Sequence, residues 1–438
     1  MVPRSPSLDR QPQRLVSLFF KEVKLVKRSN TNSQRALIAA ILASGTDDLN
    51  VMFLAFSMSA IIGQLGINGA QAGLIATITN LGMLAGGLIF GILADRYNRF
   101  KVFKWTILLF SLATGLIFFT PNLSYLYLMR FLAGMGVGGE YGVAIAIMAS
   151  IVPAQKMGRV SSLNGIAGQI GSILSAVLAG FIAPLFGWRG LFLFGLLPLI
   201  LVLWMVFAID DQQVFADTQA DQQRQAATHK PSIKELFQTA ELSRQTLGLM
   251  LMTTVQIAGY FGMMNWLPTI MQEATGLSVK DSSTWMIATI VGMCLGMFTF
   301  GRLLDARGPR LAYASFLSLS ALSVYLFTFA RTPLTMVLGG AIVGFFVNGM
   351  FAGYGAMITR LYPAHIASIA NNVILNVGRA VGGFSSVVIG WLLDVSSVPM
   401  VMLFLASLYL ISLATMLSLP NLKAENYKHQ LQVLAHNH

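Results

Sequence analysis

Twelve long apolar runs, nearly free of charge, leave this chain few ways to fold. They fall near residues 36–63, 70–94, 102–119, 124–150, 160–183, 190–209, 245–271, 283–304, 311–330, 334–358, 366–392 and 399–419. A hydrocarbon core about 30 Å thick needs roughly 20 apolar residues of helix. Within it every backbone N–H and C=O must be bonded inside the protein, which leaves helices and closed barrels. Barrel strands alternate apolar and polar residues, and these runs do not. The expectation is an all-α membrane protein of twelve transmembrane helices. Composition agrees: AVILMFWYC make up 55% of the 438 residues and charged residues 11%, against roughly 25% charged in soluble domains.

The net charge of +12 would suit nucleic acid if it formed a patch interleaved with aromatics on a soluble module. Instead the basic residues gather in an N-terminal tail (1–35) and in short connectors, where they set membrane orientation. Arg96, Arg99, Lys101 and Lys104 stand in one connector, and Arg307 and Arg310 in another. The alternate connectors 64–69 and 120–123 carry no basic residue. Both termini are therefore expected in the cytoplasm, and nucleic acid is not an expected partner. Within the tail, 14–28 has the pattern of a basic amphipathic helix on an anionic leaflet, or of a plain orientation-setting segment. The tail lacks the short apolar stretch and cleavage site of a signal peptide. The single cysteine, Cys294, excludes an intrachain disulfide.

The polar stretch 210–244, with a short amphipathic piece at IKELF, divides the runs into two sixes, 36–209 and 245–419, followed by a tail at 420–438. The same word stands in both sixes. GILADRYNR carries Gly91, Asp95, Arg96 and Arg99; GRLLDARGPR carries Gly301, Asp305, Arg307 and Arg310. Gene duplication accounts for that recurrence, and paired six-span halves are a known transporter plan.

GILADRYNR resembles the loop 2–3 signature of the major facilitator superfamily, Gly-x-Leu-Ala-Asp-Arg-x-Gly-Arg, with Asn98 in place of a glycine. GRLLDARGPR is similar to its degenerate second copy. RFLAGMGVGGEYG, from Arg130 to Gly142, resembles the fourth-helix pattern Arg-x-x-x-Gly-x-Gly. GWRGLFLFGLLP and RLYP extend the match over essentially the whole chain. The resemblance implies two six-helix halves with pseudo-two-fold symmetry in a cell membrane, here a bacterial inner membrane, acting as a monomer. It also implies a cytoplasmic gate at Gly91, Asp95, Arg96, Arg99, Asp305, Arg307 and Arg310. On the residues alone, Arg96, Arg99 and Lys101 read equally well as orientation charges.

In the fourth run Gly134, Gly136 and Gly138, with Arg130, read as helix packing, because small residues let backbones approach closely in lipid. Ionisable side chains deep in a membrane are costly and mark pathways. Asp47 and Asp48 lie midway along the first run, Glu140 midway along the fourth, and Arg379 a dozen residues into the eleventh. A guanidinium offers a planar fork for a carboxylate. A carboxyl in such a place can take up and release a proton, which assigns Asp48, Asp47 and Glu140 to proton coupling. Arg130 is ten residues from Glu140, about 15 Å of helix rise, too far for a pair on one helix. Asn376, Tyr260, Gln256, Asn348 and Tyr354 complete a candidate substrate site, with Asn50, Gln169 and Asn265 at similar depth; each reads also as helix–helix glue.

The acidic first run, the glycine-rich fourth and the Gly378-Arg379 step resemble the proton-coupled organic-acid carriers: the sialate and lactate, aromatic-acid and nicotinate groups. Gly45 stands where their first acid would be, and Asp48 keeps the second. The resemblance implies proton-coupled uptake of a small organic anion. The competing reading is proton-driven efflux of drugs or metabolites, although the fifth run ends in Ala-Pro rather than the Gly-Pro of multidrug antiporters. No nucleophile–base or metal constellation points to an enzyme or a cofactor, and no filter or pore loop to a channel. A solute sensor without transport activity stays open.

Overall fold

The computed structural model describes residues 31–152, 154–212, 232–276 and 278–423. The amphipathic segment 14–28, most of the 210–244 connector and the tail beyond 423 lie outside the described residues. Fourteen α-helices occur among those described: α1 (Thr31–Leu65), α2 (Gly69–Arg96), α3 (Arg99–Leu116), α4 (Leu123–Ile151), α5 (Ala154–Leu193), α6 (Pro198–Ala208), α7 (Ala240–Thr275), α8 (Val279–Arg307), α9 (Pro309–Leu326), α10 (Pro333–Gly349), α11 (Phe351–Leu361), α12 (Ala364–Gly382), α13 (Ser385–Val395) and α14 (Val398–Ser418).

Eleven stretches among them are long and apolar enough to cross a bilayer, where the sequence suggested twelve. The difference lies in Leu163–Ala208, 46 residues long, about twice what a bilayer takes up. Two helices meet inside it at Gly187, whose φ of 67° is non-helical and open to glycine without steric cost. The stretch thus covers both the fifth and the sixth apolar runs. Two further runs are interrupted: 334–358 is divided at Met350 into α10 and α11, and 366–392 at Gly383–Phe384 into α12 and α13. The first and seventh runs form longer helices than expected, Thr31–Leu65 and Ala240–Thr275.

Polar residues at the ends satisfy N–H groups that a helix leaves unbonded. Asn68 and Gln71 form a capping box at α2, and Asn122, Ser278 and Thr332 cap α4, α8 and α10. Asn98 explains its departure from glycine. Its Oδ1 accepts from the N–H groups of Phe100 and Lys101, capping α3, while its Nδ2 donates to the Asp211 carbonyl at 3.0 Å. Lys104 then pairs with the Asp211 carboxylate at 2.7 Å. In the second copy of the motif, Gly308 makes the corresponding turn with φ 82°.

That correspondence extends along the chain. Helices α3 and α9 are both 18 residues long and begin 210 positions apart, at Arg99 and Pro309. Each leads into a three-residue 3-10 turn, Ile117–Phe119 and Phe327–Phe329. Arg35 donates to the Ala208 carbonyl and Arg244 to the Ser418 carbonyl, both at 2.6 Å, so the same bond closes each set of helices. Close glycine packing recurs as well. Gly134 and Gly138 of α4 lie against the backbone of Thr79 and Met83 on α2, and Gly292 and Gly296 of α8 against that of Ala341 and Phe345 on α10. Gly136 fits against Phe110 of α3. Helices α1 and α7 are the most enclosed of the candidate spans. Large apolar side chains such as Phe207 (86% exposed) and Leu185 (75%) cover the outside, as a lipid-facing surface requires.

The two ends of the molecule differ. At the end opposite the basic connectors, the helices before and after the 210–244 connector are drawn together. Gly69 packs on Gly390 and Gly73 on Ser386, backbone to backbone. The Asp394 carboxylate accepts from the Gly69 and Ala70 N–H groups at 2.8 and 3.1 Å, capping the start of α2 from the other set. Further in, Thr77 Oγ1 donates to the Gly383 carbonyl at 2.8 Å, which the interruption between α12 and α13 leaves without its helical partner. At the basic end, Lys104 pairs with Asp211 within the first set, and Asp305 with Arg360 at 3.6 Å and Arg310 with the Leu417 carbonyl within the second.

Candidate functional site

Four helices bring ionisable or polar groups together midway through the bundle: α1 and α4 from the first set, α7 and α12 from the second. Asp47 and Glu140 are buried at 5% and 0% exposure and lie beside each other across the α1–α4 contact. Asp47 Oδ1 and both Glu140 oxygens have no hydrogen-bond partner among the described residues. Buried carboxylates without donors are costly, which suits groups that take up a proton.

Asp48 is half-buried on the next position of α1. Its carboxylate lies against Gly168 of α5, where a Cβ would collide with Oδ2. It makes no hydrogen bond among the described residues, and it lies near Asp47, Glu140 and Tyr260. Tyr260, on α7, is half-buried with its ring edge-on to Phe261 at 5.1 Å. Tyr260 thus carries the acid cluster's neighbourhood across to the second set.

Arg379 is half-buried on α12. Its guanidinium carbon stands 5.3 Å from the centre of the Tyr141 ring on α4, a cation–π distance. Among the described residues it has no carboxylate and no hydrogen-bond acceptor. Asn376 is half-buried one turn before it, and Asn372 is exposed one turn earlier, so α12 presents a polar stripe at i, i+4 and i+7. Tyr141 is 42% exposed, and a Cβ added to its neighbour Gly142 would meet nothing within 4 Å. Open space therefore adjoins this turn of α4.

Three residues assigned to substrate from the sequence sit elsewhere. Gln256, Asn348 and Tyr354 are 1–2% exposed, packed inside the second set. Gln256 Nε2 donates to the Val347 carbonyl at 2.7 Å, and Tyr354 Oη donates to the Met252 carbonyl at 3.3 Å; both tie helices together. Arg130, 2% exposed, donates through Nε to Thr79 Oγ1 at 3.1 Å, joining α4 to α2 away from Glu140. Of the expected gate residues, Arg96 and Arg307 are exposed, while Gly91 and Gly301 have open space where a Cβ would stand. The Asp95 side chain lies outside the described residues. Tyr141 and Asn372 are new to the site. The spacing of Asn372 from Asn376 and Arg379 was a usable signal; nothing in the sequence marks Tyr141. A surface hollow of about 260 Å³ beside Arg244, Gln245 and Leu419 lies at the basic end, remote from these groups.

Comparison with known proteins adds independent findings. The sequence profile of the Major Facilitator Superfamily matches residues 38–294 and 249–432. A Haemophilus influenzae protein named for metabolite transport is 35% identical over 92% of this chain and 99% of its own. The cis,cis-muconate transport protein of Acinetobacter baylyi is 26% identical, over 86% of this chain and 91% of its own. A niacin transporter of the same organism is 28% identical, over 78% and 83%. Among solved structures, a bacterial homologue of the human lysosomal transporter Spinster, in an inward-facing and occupied conformation, superposes with a TM-score of 0.71. It is 15% identical, covering 91% of this chain and 99% of that one, a likeness of fold alone.

Proposed function

The chain belongs to the Major Facilitator Superfamily and is a multi-pass membrane transporter, not an enzyme; on that premise we propose that it takes up a small organic anion together with protons by alternating access. The observation that carries the reading is Arg379: a half-buried guanidinium deep in a membrane protein, with no carboxylate and no hydrogen-bond acceptor among the described residues. Intramembrane cations normally pair or face a solute path. A planar fork with its N–H donors unengaged suits the carboxylate of a solute. Relatives named for cis,cis-muconate and niacin transport fit that chemistry.

In this reading residues 36–209 and 245–419 are two related six-helix halves, rocking about the site between α1, α4, α7 and α12. The 210-residue recurrence of helices, turns and end-capping arginines supports the pairing. The basic end is cytoplasmic, as the distribution of Lys and Arg favours, which puts both termini inside. With the opposite end drawn together, the site would open toward the cytoplasm. Asp48, Asp47 and Glu140 supply the proton sites. Arg379 and Asn376 hold the anion, and Tyr260 lies beside it.

The test is uptake by purified protein in proteoliposomes. Hydrogen bonds to charged groups are worth about 1.5–3 kcal/mol, so Arg379→Lys, which keeps the charge and loses the fork, should cut carboxylate uptake at least roughly tenfold. Uptake near the wild-type rate would remove Arg379 from the site. A thermal-shift screen against organic acids and organic cations adds the comparison with efflux, since a bound ligand raises apparent stability. Stabilisation by cations alone would favour drug efflux.

A further inference from the structure

The guanidinium of Arg379 rests on a neutral ring, and that choice of partner has consequences for binding. A carboxylate partner would neutralise the arginine and would have to be displaced by any incoming anion. An aromatic face stabilises the cation while leaving its charge available. The two interactions also use different parts of the group. Stacking occupies the guanidinium plane, whereas the five N–H donors point outward within that plane. An arginine placed over the Tyr141 ring, with no acceptor of its own among the described residues, therefore keeps its fork free for a carboxylate.

The placement of the ring matters as much as its chemistry. Tyr141 belongs to α4 and Arg379 to α12, so the contact spans the two sets of helices. Glu140, the preceding residue, lies beside Asp47 of α1. One turn of α4 thus presents an acid to the proton sites and a ring to the anion site. The ring touches neither Asp47 nor Asp48 through any described contact.

We propose that Tyr141 is a positioning residue for the transported anion: its ring face fixes the orientation of the Arg379 guanidinium so that a carboxylate meets the fork. This rests on the reading of Arg379 as the anion-binding residue. The ring is what acts; the hydroxyl is dispensable. A cation–π contact of this kind corresponds to a change of about two- to thirtyfold in a binding constant.

The experiment measures dissociation constants of radiolabelled benzoate, nicotinate and cis,cis-muconate with purified protein, together with KM, maximal rate and the pH profile of uptake in proteoliposomes. Tyr141→Phe and Tyr141→Trp keep a ring; Tyr141→Leu keeps apolar bulk without one. The expected result is that Leu raises Kd and KM about two- to thirtyfold, while maximal rate and pH profile stay close to wild type. Phe should bind within twofold of wild type, and Trp should rescue the loss seen with Leu. Adding Tyr141→Leu to Arg379→Lys should cost little more than Arg379→Lys alone. A Tyr141→Leu protein that melts at the wild-type temperature and binds with wild-type affinity, while Arg379→Lys does not bind, overturns the role of Tyr141 and leaves that of Arg379 intact. Undiminished binding by Arg379→Lys overturns both. Equal loss in Phe and Leu, or a displaced pH profile in Tyr141→Leu, also overturns the proposal, since it would place the effect in the hydroxyl or in the acid cluster.

Discussion

Asp48 differs from its neighbour Asp47 by a single position on α1, and the two have unlike surroundings. Asp47 is buried beside Glu140, while Asp48 is half-buried, lies on Gly168 and makes no hydrogen bond among the described residues. A carboxyl that must collect a proton from water needs access, which Asp48 has and Asp47 lacks. Asp48→Asn keeps the shape and removes the proton. It should abolish uphill accumulation driven by a pH gradient while sparing exchange of labelled for unlabelled solute; accumulation that persists in Asp48→Asn would move coupling to the Asp47–Glu140 pair. The acids and Arg379 could be picked out from sequence because charge inside an apolar run is rare and costly. Gln256, Asn348 and Tyr354 looked equivalent to Asn376 on depth alone. They turn inward because rotation of each helix about its axis, set by packing partners, decides which polar groups reach the space beside Arg379. Tyr141 was invisible for the same reason: an aromatic in a membrane helix is unremarkable until its neighbour across the interface is known.

At the level of elements, the glycines of α4 act through where they point. Gly138 faces Met83 of α2 so closely that a Cβ would collide with backbone, whereas one at Gly142, a turn on, would meet nothing. Gly138→Val should therefore lower the melting temperature and the yield of folded protein, by about 1–3 kcal/mol of overpacking, while Gly142→Ala should leave stability unchanged. Equal stability of the two variants would mean that α2 and α4 can separate at no cost. The runs of hydropathy located these helices to within a few residues, and the glycine pattern marked the tight pair. Hydropathy did not reveal the interruptions at Met350 and Gly383–Phe384, because local backbone bonding leaves the apolar character of a run untouched. It separated the fifth and sixth runs that the structure carries as one long stretch turning at Gly187.

Across the whole molecule, the fastening between the two sets described above lies at the end opposite the basic connectors. Asp394 is the most separable part of the fastening, since its carboxylate caps α2 at an exposed site. A charge at a helix N-terminus is worth about 0.3–1 kcal/mol, so Asp394→Ala should shift the balance between open and closed ends by roughly two- to fivefold. The measure is labelling of a cysteine introduced at Thr77, in a Cys294→Ala background, by a membrane-impermeant maleimide applied from outside the cell. Asp394→Ala should speed it; an unchanged rate would assign the closure to glycine packing alone. The acids on α1 and α4 and the arginine on α12 bear on the electrical behaviour of the whole cycle. A monocarboxylate arriving at Arg379 would bring one negative charge into the bundle unless a proton came with it. One proton per monocarboxylate makes the loaded carrier as charged as the empty one, so such a cycle would draw on the pH difference across the membrane and be indifferent to its voltage.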